Sequence, residues 1–194
     1  MSSSQFKVSR RIGENVWSHK KLTPKQTNVV WKVRRKATRK QSDFATKLHQ
    51  TTKLSLVYGN LPIRKIQHSR TYNYLNKEKS LLLNLESRLD VILVRANFCS
   101  TLFSARQFIS HGFCCVNLKR VTLPAFALSN GDIISISQDY FECMQSIIRQ
   151  NIKQNRVLRT KSTHLEVNFK TLHVVLLYEP SQIHFPYSIE LDLI

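Results

Sequence analysis

Glycine is scarce in this chain: 194 residues hold only 4 Gly, too few for the glycine-rich loops with which nucleotide-dependent enzymes cradle phosphates. Acids are scarce too, with 12 Asp and Glu against 30 Lys and Arg, a formal net charge of +18. No apolar run approaches the roughly 20 residues of a membrane span, so no transmembrane helix is predicted. No apolar segment follows Met1, so no secretory signal is expected. The four cysteines, Cys99, Cys114, Cys115 and Cys143, contain no C-x-x-C pair, and adjacent Cys114-Cys115 lack the spacing of tetrahedral zinc ligands. They read as reduced, buried residues, with Cys114 and Cys115 on opposite faces of a strand, which suits a reducing compartment. Neither a metal nor a cofactor is expected.

An apolar fraction of 42% can build a modest core. The charge is the outlier, and such an excess favours a polyanionic partner. Its distribution separates the candidates. Residues 1–40 carry net +11 and residues 41–84 net +5, while 85–140 and 141–194 carry +1 each. An isolated basic run is often only a solvated face. An excess spread over nearly half the chain points to nucleic acid rather than a membrane surface.

Residues 1–41 scatter Phe6, Val8, Ile12, Val16, Trp17, Val29, Val30, Trp31 and Val33 among many cations. That is too little apolar surface for an independent core, so the segment is predicted to be an arm that orders on RNA. At Ser42 the pattern changes: Ser42 can cap a helix, Asp43 suits its positive end, Phe44, Leu48 and Thr51 follow at helical spacing, and Gly59 is a plausible stop. Pro62 predicts the start of a second helix. Leu82, Leu85, Leu89, Ile92, Leu93 and Ala96 predict one helix over 81–96, with Asn97 ending it in the left-handed conformation. Thr101 can cap the next helix and Gly112 end it. Strands are predicted at 113–116, near Val121 and at 133–136, with a turn at Asn130-Gly131-Asp132. A helix after Tyr140 and a buried strand over 174–177 complete the reading.

Within Glu86–Ser137 the landmarks Arg88-Leu89-Asp90, Arg95, Ser104-Ala105-Arg106-Gln107, His111-Gly112, Val116-Asn117, Lys119-Arg120-Val121, Leu123-Pro124 and Gly131-Asp132 fall in one order over about fifty residues. No single landmark is strong, but the set is hard to obtain by chance. The segment resembles the alpha-L RNA-binding motif of the small-subunit ribosomal protein four family, and the resemblance extends over 42–194. The tail HLEVNFKTL…VVLLYEPSQIHFPYSIELDL is most similar to plant and green-algal mitochondrial members. Sparse Gly and Ala beside abundant Lys, Asn, Ile, Leu and Phe fit an AT-rich organelle genome. The mitochondrial matrix is therefore expected, with the plastid as second choice.

The resemblance implies an α+β fold: a basic arm (1–41), a helical domain (42–84), an inserted alpha-L RNA-binding domain of two helices and a small sheet (85–140), and a C-terminal helix and β tail (141–194) returning to the helical domain. It implies a structural constituent of the small subunit that binds a multi-helix rRNA junction, nucleates assembly of the subunit body and lies near where mRNA enters. Small-subunit rRNA, neighbouring ribosomal proteins and mRNA at that channel are the implied partners, with no membrane and no catalysis. It carries Arg88, Arg106, Gln107, His111, Lys119 and Arg120 onto the RNA-facing surface, with Thr101 beside them. Arg34, Arg35, Lys36, Arg39 and Lys40 of the arm and Lys47 and Lys53 of the helical domain are the further candidate phosphate contacts.

Each has a plainer reading. Arg88 can pair with Asp90 or Glu86 and only stabilise the motif, and His111 can satisfy carbonyls at a helix end. Two departures from the family pattern matter. Leu102-Phe103 stands where a cation commonly follows the cap. Asn117-Leu118 replaces Asn-Gly at the hairpin, predicting a wider or mildly strained turn. The rival readings are a free RNA-binding factor and an RNA-modifying enzyme subunit. The second lacks any clustered carboxylates or supported nucleophile, and a Cys114–His111 pair has no third group to orient it.

Overall fold

Ser42 is extended and its hydroxyl accepts the Ala45 N–H at 3.3 Å. From that cap a helix runs over Asp43–Val57, as its spacing predicts. Gly59 (φ 69°) and Asn60 (φ 58°) turn the chain out of it. The computed structural model describes residues 3–15, 21–37, 42–62, 83–153 and 162–178. These fall into two compact units, residues 3–62 and residues 83–178.

In the first unit the predicted arm is corrected, because it contains two helices: α1 (Ser3–Ile12) and α2 (Pro24–Ala37), ahead of α3 (Asp43–Val57). Local chemistry explains the start of α2. The Thr23 hydroxyl accepts the Gln26 N–H, and the Gln26 side chain accepts the Thr23 N–H at 3.1 Å, a reciprocal cap followed by Pro24 in the first turn. The apolar residues of α1 need no core of their own, since buried Ile12 clusters with Leu56 of α3, and Val8 packs against them. The helix expected after Pro62 lies outside the described residues.

In the second unit the single helix predicted over 81–96 is interrupted. Residues 83–86 are helical, but Arg88 is extended (φ −71°, ψ 139°) and starts α4 (Leu89–Arg95) afresh. The cause is tertiary. The returning loop bridges Arg88 to Ala127, and its Phe126 and Pro124 carbonyls accept the Leu89 and Asp90 N–H groups at 2.9 and 3.2 Å. The loop thus satisfies donors that a helix start leaves open. Asn97 has φ 62°. Asn97 and Phe98 donate to the Val94 and Leu93 carbonyls, the paired bonds of a left-handed helix end. Helix α5 (Leu102–Ser110) ends in the same way at Gly112 (φ 74°).

Strands β1 (Cys114–Val116), β2 (Lys119–Val121) and β3 (Ile133–Ile136) follow, then a 3-10 turn and α6 (Phe141–Lys153). Strands β4 (Leu165–Asn168) and β5 (His173–Leu176) complete an antiparallel sheet in the order β2-β1-β3-β5-β4. Here the predicted domain plan differs. β5 pairs with β3, placing Ile134 opposite Val174, and α6 sends Met144 and Ile148 into the same core. Residues 141–153 and 162–178 therefore belong with the RNA-binding fold, not with the helical domain. The free edge of β3 has backbone donors and acceptors to satisfy, and the apolar positions of β5 match its buried face. The remainder of the predicted tail, 179–194, lies outside the described residues.

Alternation decides which side of the sheet is covered. Cys114, Val116, Ile134, Ile136, Val174 and Leu176 are buried, and α4 with its C-terminal cap supplies Leu89, Ile92, Leu93 and Ala96 to the same core. The expected alternation puts Cys114 inside and leaves Cys115 half-buried, while the expectation of buried cysteines is corrected at Cys143, which is exposed. Burial pushes the Cys99 and Cys114 thiols up to about 12, so both are inert packing groups.

Candidate nucleic-acid interface

The motif begins with charge inside the fold. Asp90 has 0% exposure. Arg88 donates to both its oxygens, Nε to Oδ1 at 3.0 Å and Nη2 to Oδ2 at 2.9 Å, and Arg106 Nε donates to Oδ2 at 2.8 Å. Close by in sequence, Arg95 holds buried Glu86 with bonds of 3.0 and 2.7 Å. Planar, two-pronged guanidinium contacts of this kind are strong and directional. They tie α5 to α4 and α4 to the segment before it. The plainer reading of Arg88 is therefore the one observed, and Arg106 shares it. Thr101 is likewise engaged in structure, its hydroxyl accepting the Ser104 N–H at 3.2 Å as the cap of α5.

The outer face differs. Gln107, His111, Lys119 and Arg120 are all exposed. The last two stand beside the β1–β2 turn, where Val116 pairs with Lys119, so the loop has two residues. Asn117 (φ 48°) and Leu118 (φ 68°) both have positive φ, the backbone of a type I′ turn. Of the two expectations, the wider turn is overturned and the strained one holds. Asn117 also locks the hairpin in place. Its Oδ1 accepts the Ile133 N–H at 3.0 Å and its Nδ2 donates to Asp132 at 2.8 Å.

Arg120 reaches back from the hairpin to the end of α5, where its Nη2 donates to the His111 carbonyl at 3.2 Å. Its guanidinium occupies the space beside Gly112 that a Cβ would need. Gly112 is required by its φ of 74°, whereas a Cβ there would displace only the end of the flexible, exposed Arg120 side chain. The His111 ring stacks on Phe113 at 5.8 Å, and Phe113 on Tyr140 at 4.6 Å. The end of α5, the hairpin and the turn before α6 are thereby held as one surface.

Elsewhere the candidates separate. Lys47 is exposed on α3. Lys53 is corrected: it is buried and paired with Glu14 at 3.2 Å, because Glu14, just past α1, lies against α3. Arg34, Arg35 and Lys36 fall within α2, but their side chains lie outside the described ones, as do residues Arg39 and Lys40 entirely. Sequence reading missed Glu86 as the partner of Arg95 and Gly112 as the seat of Arg120. The scarcity of acids was the available signal: Glu86, Asp90 and Asp132, three of the four acids in 85–140, each hold a partner. His164 was missed as well. It is buried, and burial lowers its pKa; nearby Glu86 opposes that shift and Arg95 adds to it. Among the described residues no group of three or more His, Cys, Asp or Glu is placed to hold a metal, and no helix is long and apolar enough to cross a membrane.

Cations held in register on a helix–hairpin frame define an RNA-binding module. The S4 domain family matches residues 87–134. Over its whole length the chain is 55% identical to small ribosomal subunit protein uS4m of Marchantia polymorpha, which it covers completely. It is 33% identical to small ribosomal subunit protein uS4 of Caulobacter vibrioides, with 98% of this chain and 93% of that one aligned. The uS4 protein of Agrobacterium fabrum is 31% identical over the same shares. The chain belongs to the uS4 family of small ribosomal subunit proteins. Its similarity to the mitochondrial uS4m supports a place in the mitochondrial ribosome.

Proposed function

We propose that this chain is a structural, non-catalytic constituent of the mitochondrial small ribosomal subunit that grips a multi-helix rRNA junction, nucleates the body of the subunit and lies near the side where mRNA enters. The observation that carries this reading is the outer face of α5 and the hairpin: Gln107, His111, Lys119 and Arg120 exposed together on a frame pinned by the Arg120 contact to the His111 carbonyl. Amides, imidazole and cations of this kind suit phosphates, sugars and base edges of RNA. Arg88 and Arg106 serve the same end indirectly, by fixing α5 on Asp90. The cations of residues 1–41, with Lys47, add phosphate neutralisation, so that RNA helices pack against one another.

Neighbouring ribosomal proteins, and mRNA at its channel, are the further partners of this reading. The free-factor and enzyme-subunit alternatives part from it in one experiment. Tagged chain in mitochondrial lysate should co-sediment with intact small subunits at physiological salt. Recovery in the ribosome-free fraction would point to a free factor, and recovery with a separate catalytic subunit to the enzyme alternative.

A further inference from the structure

Phe103 stands in the first turn of α5, one residue past the position that follows the Thr101 cap. The residue is 57% exposed. Phe98, Phe108, Phe113, Phe126, Phe141 and Phe169 of the same unit are buried or packed against its core. A single exposed apolar side chain needs no explanation by itself, but the surroundings of this one do. The Arg106 guanidinium lies 5.7 Å from the Phe103 ring centroid, within cation–π range. Arg106 is in turn held by Asp90 at 2.8 Å, and Asp90 is fully buried and gripped by Arg88 as well. A carboxylate inside the fold thus orients a guanidinium, which orients an exposed ring. Much of the ordering cost of a contact through that ring is met before a ligand arrives. Gln107, four residues on and exposed, shares the same flank of the helix and offers an amide donor and acceptor.

We propose that Phe103 is a stacking platform for an unpaired nucleobase of the rRNA, with Arg106 bracing the ring and Gln107 placed along the same flank to bond the edge of the base. Proteins hold splayed-out RNA bases on aromatic and guanidinium planes. Stacking on a base and contact with a phosphate differ in salt response, because stacking releases no counterions whereas phosphate neutralisation does. The proposal rests on the rRNA-binding reading above.

The test uses full-length protein and a transcript of the cognate mitochondrial small-subunit rRNA, titrated over a range of salt. Phe103→Ala and Phe103→Leu should weaken binding roughly five- to hundredfold at every salt concentration, with the log–log slope and melting temperature unchanged. Phe103→Trp should keep the affinity, and its added fluorescence, read against wild type with Trp17 and Trp31, should be quenched by RNA. Wild-type affinity in Phe103→Ala would overturn the platform. So would full rescue by leucine, which would mean apolar bulk suffices. Normal RNA binding with poor incorporation into subunits would assign Phe103 to a protein neighbour instead. Failure of the wild type itself to bind the transcript would sink the rRNA reading, and the platform with it.

Discussion

Residues 3–62 and 83–178 both carry arginine and lysine, but they use them differently. Among the described side chains of the first unit, one ion pair forms, Lys53 with Glu14. In the second, Arg88, Arg95 and Arg106 are each bound to a buried carboxylate. The difference follows from supply. The first 84 residues carry net +16, so their cations far outnumber any acids to meet them, whereas 85–140 carries only +1. The first unit thus has few acids to hold its cations, while in the second Arg88, Arg95 and Arg106 hold the fold together and Lys119 and Arg120 at the hairpin, with Arg149, Lys153 and Lys170 elsewhere, are exposed. A count of cations locates the electrostatic term; their partners decide which of them can touch RNA.

Removing residues 1–40 should break this contrast most severely. Binding to the rRNA transcript should weaken, and for about six lost phosphate contacts the log–log salt slope should shrink by roughly 4–5. The truncated chain should also melt lower, since Leu56 loses Ile12 and Lys53 loses Glu14. A salt titration beside a melting curve checks both halves, and identical slopes would remove residues 1–40 from RNA contact. Asp90→Ala should produce the largest effect on stability, a loss of about 3–5 kcal/mol, because it strands two arginines that one buried carboxylate holds. Denaturant unfolding measures it, and a loss below about 1 kcal/mol would mean the cluster is ornamental.

Lys119→Ala with Arg120→Ala should cost about 1 kcal/mol of stability, from the lost Arg120 bond to the His111 carbonyl, and reduce the salt slope by about 1.4–1.8, far less than the truncation. An unchanged slope would take the hairpin off the RNA. His164 offers a test of pH. Its folded pKa is lowered chiefly by burial, so its contribution to stability is present above the ordinary histidine value of about 6.5 and is lost as pH falls below it. His164→Gln should flatten that acid loss, which melting at pH 5 and pH 8 would reveal. Smallest of all, Leu118→Gly should be neutral or stabilising by up to about 1 kcal/mol, since Leu118 is 93% exposed at φ 68° and glycine relieves that backbone. A clear fall in melting temperature would show that the leucine packs in the free protein.

Local signals were legible wherever one residue type answers one local need. Ser42, Thr101, Asn97 and Gly112 act at helix ends as their chemistry demands, and the alternation of β1 and β3 placed Cys114, Val116, Ile134 and Ile136 inside. The basic composition and the ordered landmarks of 86–137 by themselves determined that the chain handles RNA and which family it resembles. Tertiary structure alone decided the rest. A loop from 124–128 interrupted a helix that periodicity would have continued, Leu56 gave α1 a surface to fold on, and β5 joined β3 instead of another domain. It also turned Arg88, Arg106 and Lys53 from candidate phosphate contacts into partners of Asp90 and Glu14. The physical reason is common to all of these: a cap or an alternation is satisfied within a few residues, whereas an ion pair or a strand pairing depends on which distant group the fold brings alongside.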